Sequence, residues 1–343
     1  MTGTAPPSDL ALFWAGVIAL AILVYVILDG FDLGVGILFG TTRDEARRTA
    51  LMNTIAPFWD GNETWLVVVG AGLFAAFPAV YAVFLAAFYI PVLLLLVGLI
   101  FRGVAFEFRG RSVRMRRLWD RGFFVGSVVV AFVQGAAVGA MMRGVAVRDG
   151  QFAGGSFDWL HPFALLTGAG LVFGYALLGA GWVVVKSEGA LRDWARARIG
   201  WLAAIVFVLI GAAFAVVLGA DAGAVAQGHL RDRPWGWVFP ATGVAALAAT
   251  ALAARGRNDV LPFAGSALFF VCAYLSLGVM FWPYMVPYAL TVGSAASPDA
   301  SLRFLFYGGV VVLPVIVVYT AGVYWVFRGK TPGFGGEAHK RRL

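Results

Sequence analysis

The residues of this chain best suited to chemistry are carboxylates, and they sit where charge is expensive. Asp29 and Asp32 lie within AILVYVILDGFDLGVGILFG, and Asp60 and Glu63 within IAPFWDGNETWLVVVGAGLFAAF. A carboxylate near a bilayer centre costs about 2.5 to 3.5 kcal/mol on insertion scales, so these four must be paired, hydrated or protonated. Each pair is spaced by three residues, which places both members on one helix face. A carboxyl removed from water favours its protonated form, so such groups can accept, hold and hand on a proton. The competing structural reading is that they cap helix ends or pair with Arg43, Arg47 and Arg48 across the short loop that follows.

Other chemistries find little support. Haem needs axial ligands such as His or Met, and membrane b-type sites take His from facing helices. The histidines are His161, His229 and His339; two fall in segments at or beyond the membrane boundary and one in the C-terminal tail, so no pair can grip a haem. Lone Met residues in apolar helices pack. There is no CxxCH, no metal-spaced Cys and His set and no Gly-rich phosphate loop. The expectation is a chain without metal or haem of its own. The single Cys272 lies in an apolar run and can form no intrachain disulfide.

The elements that must position the carboxylates follow from composition. The chain is 61% hydrophobic and 13% charged, with mean hydropathy +0.85, which excludes a soluble domain. Runs long enough to cross about 30 Å of hydrocarbon are read at 10–38, 55–77, 79–101, 122–143, 163–185, 200–220, 236–254, 261–285 and 305–328. That predicts an all-α integral membrane protein of nine transmembrane helices in one polytopic domain, 1–343. Nine helices put 21 of the 26 basic residues on one side, among them Arg43, Arg47, Arg48 and the run from Arg102 to Arg121. Eight would place Arg43, Arg47 and Arg48 opposite the rest. The positive-inside rule then sets the N-terminus outside and the C-terminus in the cytoplasm, and it accounts for the net charge of +8 without nucleic acid. MTGTAPPSD lacks a basic region or cleavage signal, so the first helix is expected to be retained. Gly30 with Gly34, Gly36 with Gly40, and Gly170 with Gly174 have the spacing of close helix contacts. All four carboxyls fall toward the cytoplasmic side.

Two segments carry a family resemblance. LDGFDLGVG (28–36) and NTIAPFWDGNETWLVVVGAGLFAAFPAVYA (53–82) resemble the signature stretches of subunit II of cytochrome bd-type terminal quinol oxidases. FRGVAFEFR (101–109), LWDRGFFVGS (118–127), LHPFALLTG (160–168) and FWPYMVPYALT (281–291) resemble the same family in the same order. The short outer loops are similar to its compact, cyanide-insensitive-like branch.

The resemblance implies two four-helix bundles plus one peripheral helix. It implies a heterodimer with a haem-bearing subunit I that holds two b-type haems and one d-type haem, in a bacterial inner membrane, reducing oxygen to water with quinol. Subunit II in that family is haem-free. Some members hold a structural quinone in it, and small accessory membrane subunits and lipid are further partners. By motif position, Asp60 and Asp29 match carboxylates linked to proton uptake from the cytoplasm, with Trp59, Asn62 and Glu63 in the same segment and Asp32 beside Asp29. Two rivals remain. A proton-coupled secondary transporter would need inverted repeats and a midplane site, and no repeat is evident; a plain scaffold for the haem subunit would need no proton path.

Overall fold

The computed structural model describes residues 6–111, 113–219 and 232–331, which are almost entirely helical. His229, Arg231 and His339 lie outside the described residues, as does most of the expected outer segment 221–235. Helix α1 (Asp9–Gly40) starts where Ser8 Oγ accepts from the Ala11 N–H at 3.3 Å, and runs unbroken because its sequence holds no proline and is apolar apart from a few residues, Asp29 and Asp32 among them. Asp44 Oδ1 then caps α2 (Glu45–Asn53), a short polar helix, by accepting from the Ala46 and Arg47 N–H groups.

Prolines set the next boundaries. Helix α3 (Trp59–Ala76) ends at Phe77, whose φ of −137° and ψ of 62° reflect the crowding that Pro78 imposes on the residue before it. Helix α4 (Pro78–Ala87) is ten residues long. It stops because Pro91 offers no N–H to the Ala87 carbonyl and its ring crowds that group. Helix α5 (Tyr89–Phe108) follows. The expected span 79–101 is therefore two helices, and the long one is shifted toward Phe108. Arg102, read from the sequence as the start of a basic loop, lies inside α5 and is 1% exposed.

The remaining elements are α6 (Arg116–Arg143), a hairpin of β1 (Val147–Arg148) and β2 (Gln151–Phe152), α7 (Pro162–Lys186), α8 (Gly189–Gly219), α9 (Val238–Ala253) and α10 (Leu261–Phe281). A second hairpin, β3 (Tyr284–Val286) and β4 (Leu290–Thr291), leads through α11 (Val292–Ala295) to α12 (Asp299–Val326). Helix α8 starts at Gly189 rather than 200 because the polar stretch GALRDWARAR stays helical before the apolar run. Helix α10 ends at Phe281 rather than 285, just before Pro283.

Helices α1, α3, α5 and α6 form one group and α7 to α10 a second, joined where α7 packs on α1 and α6. Helix α12 lies outside both along α1 and α3, with none of its most apolar window buried. Among the described residues, eight helices are long and apolar enough to cross a membrane. Helix α3, at 18 residues, is not one of them because Asp60, Asn62 and Glu63 occupy its first turns.

The α1–α7 contact depends on absent side chains. A Cβ on Gly34 would stand 1.8 Å from the Tyr175 carbonyl oxygen, and one on Gly179 would stand 2.5 Å from the Gly34 carbonyl carbon. Of the spaced glycines, Gly34 is such a site; Gly170 is not, its nearest neighbour atom standing 4.0 Å away.

Candidate functional site

One end of the first helical group holds a buried ionic cluster. Asp29 and Asp32 on α1 are 0% exposed, Asn62 on α3 and Arg102 on α5 are 1% exposed, and Glu63 on α3 is partly open. Arg102 Nη1 donates to Glu63 Oε1 at 2.6 Å and to Asp29 Oδ1 at 3.3 Å. An arginine supports this role because its planar guanidinium stays charged at any accessible pH and presents several donors. It can do so here because Gly98 and Gly126 let α5 and α6 approach, a Cβ on Gly126 falling 2.6 Å from the Gly98 carbonyl oxygen.

Asp32 is held differently. Its Oδ2 accepts from Asn62 Nδ2 at 2.7 Å, and no other bond meets the carboxyl among the described residues. The Asn62 amide is fully used: its Nδ2 also donates to the Leu28 carbonyl at 3.2 Å, and its Oδ1 accepts from the Tyr324 hydroxyl at 3.0 Å. Tyr324 comes from α12, so the peripheral helix reaches the cluster through this one hydroxyl. On the far side of Asp29 stands Tyr25, whose hydroxyl accepts from Gln134 Nε2 at 2.7 Å, while Tyr175 donates to Gln134 Oε1 at 3.0 Å.

The structure brings Asp29, Asp32, Asn62 and Glu63 together. Asp60 is exposed in the first turn of α3, on the face one turn before Glu63, and makes no ion pair among the described residues. Trp59 is half-buried and packs on Phe106, ring centroids 5.1 Å apart. The cluster does not pair with Arg43, Arg47 or Arg48. Arg47 faces Asp44 at 3.6 Å, and Arg48 bonds Asp120 at 2.8 Å in a separate network with Arg109, Glu45 and Arg116.

Sequence reasoning missed Arg102, Tyr25, Gln134, Tyr175 and Tyr324. Arg102 read as the first residue of a basic loop; the other four are single polar residues in apolar runs. His161, immediately before α7, caps that helix through Nδ1, which accepts from the Ala164 N–H at 3.2 Å. Burial and the nearby Arg143 charge hold its pKa below the ordinary histidine value. Among the described residues no three His, Cys, Asp or Glu side chains are grouped to hold a metal ion.

Fold and site together define a helical membrane protein with a charge cluster buried at one end of its first bundle. The family model for cytochrome bd terminal oxidase subunit II matches residues 10–327, and the chain belongs to that family. It is 31% identical to the cytochrome bd-I ubiquinol oxidase subunit 2 of Escherichia coli K12, covering 94% of this chain and 95% of the relative. It is 30% identical to the cytochrome bd ubiquinol oxidase subunit 2 of Bacillus subtilis 168, covering 92% and 95%. The fold is similar to a chain of the bd oxidase of Geobacillus thermodenitrificans, with a TM-score of 0.78 at 14% identity, covering 94% and 98%. The chain is thus a multi-span, inner-membrane subunit of a quinol:oxygen oxidoreductase rather than a transporter, partnered by a haem-bearing subunit I.

Proposed function

We propose that this subunit delivers protons from the cytoplasm to the haem-bearing partner. The carrying observation is that two carboxyls, Asp29 and Glu63, share one guanidinium, Arg102, while a third buried carboxyl, Asp32, is bonded only to the neutral Asn62 amide, in a site closed to water except at Glu63. Such a set is short of positive charge, which protons supply. Glu63 joins inside to outside, because it bonds Arg102 and is still 24% exposed. Asp60 sits at the same end on the protein surface, one turn away, where it collects protons from water. A proton accepted at Asp60 passes through water to Glu63 and is then held within the cluster.

The cytoplasmic placement of this end rests on the basic residues gathered there, with the N-terminus outside. In this reading α3 is the ninth span; its 18 residues reach about 27 Å at 1.5 Å per residue. The partner holds two b-type haems and one d-type haem, and reduction of oxygen on them consumes the protons. Lipid, a structural quinone in this subunit and a small accessory membrane subunit complete the assembly.

The test is Asp60→Asn in the two-subunit complex. Oxygen consumption with excess quinol falls at least about tenfold, one order in rate being about 1.4 kcal/mol of barrier, at unchanged haem content. A wild-type rate rejects the proton path and leaves the scaffold reading.

A further inference from the structure

Lys186 closes the last turn of α7 and is 4% exposed, yet among the described residues no carboxylate lies within 4 Å of it. Its ammonium instead donates to two carbonyls that follow α12, those of Phe327 and Gly329, the second at 3.1 Å. The chain then turns back, and Thr331 donates through both its N–H and its hydroxyl to the Lys186 carbonyl at 2.8 Å. One residue thus ties down the end of a helix that is otherwise barely packed.

The same ammonium stands over two rings, 4.8 Å from the centroid of Phe58 and 5.3 Å from that of Trp182. A cation over an aromatic face is attracted by the ring quadrupole. Phe58 immediately precedes α3 and lies against Tyr324, centroids 4.8 Å apart. Trp182 stacks at 4.0 Å on Phe31, which sits between Asp29 and Asp32 on α1. The Trp182 indole N–H also donates to the Thr54 carbonyl at 3.0 Å. Lys186 therefore meets the residue before α3 and the carbonyls after α12 directly, and α1 only through Trp182, without touching Asp32 or Asn62.

We propose that Lys186 is a positioning residue for the proton path, holding α12 so that the Tyr324 hydroxyl keeps the Asn62 amide seated against Asp32. Asp32 and the Leu28 carbonyl are both acceptors, so they select the Nδ2 side of the amide, and Tyr324 satisfies the Oδ1 left on the other side. Without that donation Oδ1 is buried and unpaired, and the amide loses the contact that holds it on Asp32. Of the other charged groups near this end, Asp259, Arg192, Arg196 and Lys330 are engaged with one another, Arg328 stands over Trp325 and Glu188 is exposed, while Tyr324 of α12 packs on the same two rings as Lys186.

This inference rests on the proton-delivery reading, and the experiment separates the two. Lys186→Met, Lys186→Arg, Tyr324→Phe, the Lys186→Met/Tyr324→Phe double variant and Glu63→Gln are made in the two-subunit complex. Quinol-driven oxygen consumption is measured from acid to alkaline pH at matched haem content. Expected is a loss in Lys186→Met of about fivefold or more at alkaline pH, where protons are scarce, shrinking toward acid pH. Tyr324→Phe gives the same profile, the double variant is no worse than either single change, and Lys186→Arg recovers most of the rate. If Glu63→Gln shifts the profile while Lys186→Met keeps the wild-type one, the positioning role is overturned and proton delivery stands. A double variant whose loss is the product of the two single losses also overturns it, because the two residues then act separately. If Glu63→Gln itself keeps the wild-type rate and profile, proton delivery fails and the role of Lys186 falls with it.

Discussion

Arg102 is the residue on which the site turns. It is a fully buried cation whose one terminal nitrogen serves both Asp29 and Glu63. Removing one partner from a buried ion pair leaves uncompensated charge and costs about 3 to 5 kcal/mol. Arg102→Met is expected to lower the thermal midpoint of the purified complex and its yield, with Arg102→Lys intermediate because it keeps the charge but places it on a compact, more strongly hydrated ammonium. A midpoint equal to wild type for Arg102→Met would show that the cluster is not held by this cation. The carboxylates were legible in the sequence because acid within a lipid-grade run has few bland explanations. Arg102 was not, since the helix break at Phe88, set by Pro91, moves the following helix along the chain and takes an apparent loop arginine inside it. Tyr324 was invisible for another reason: its partner Asn62 lies 262 residues earlier, and nothing local marks the pairing.

At the scale of elements, two contacts carry distinct consequences. The α1–α7 crossing leaves no room at Gly34, where the obstruction is the Tyr175 backbone rather than a side chain that could turn away. Forced overpacking typically costs about 1 to 3 kcal/mol; with a backbone obstacle, Gly34→Ala is expected at or above the top of that range. It should therefore give little assembled complex on size-exclusion chromatography. Wild-type yield and elution would mean that the two helices can separate without loss. The tail after α12 is held by a second device, in which Asp259 accepts from Lys330 at 2.5 Å and from Arg196, with Arg192 at 3.9 Å. Burial pushes the Asp259 carboxyl upward, but the Lys330 hydrogen bond and the charges of Lys330, Arg192 and Arg196 outweigh it, so its pKa lies below the ordinary carboxylate value. A depressed folded-state pKa stabilises the folded form above the unfolded carboxylate range, and that contribution is lost as pH falls through the folded value. Trypsin should thus cut after Lys330 faster in Asp259→Asn than in wild type at neutral pH. Heat denaturation of the two proteins should converge in acid below the carboxylate range; a gap that persists there would assign the contact to shape rather than charge. The helices themselves were largely legible from hydropathy, whereas the α3, α4 and α5 boundaries were not, because proline geometry rather than hydropathy sets them.

At the scale of the whole molecule, the proposed proton delivery makes the charge cluster, the surface carboxylate and the partner one route. Two bundles and an outlying helix bring six helices to the cluster: α1, α3, α5 and α12 directly, and α6 and α7 through Gln134 and Tyr175. On that reading proton supply and oxygen reduction are divided between two chains, and His161, the histidine among the described residues, caps α7. The most direct measurement follows protons rather than oxygen. The reduced two-subunit complex is mixed with oxygen in weakly buffered medium containing a pH-indicator dye, and proton uptake is timed against haem oxidation in wild type and in Asp29→Asn. Asp29→Asn keeps the size and polarity of the side chain but removes the carboxyl. The account predicts that uptake in the variant lags by about tenfold or more at full haem content, and uptake as fast as wild type would contradict it.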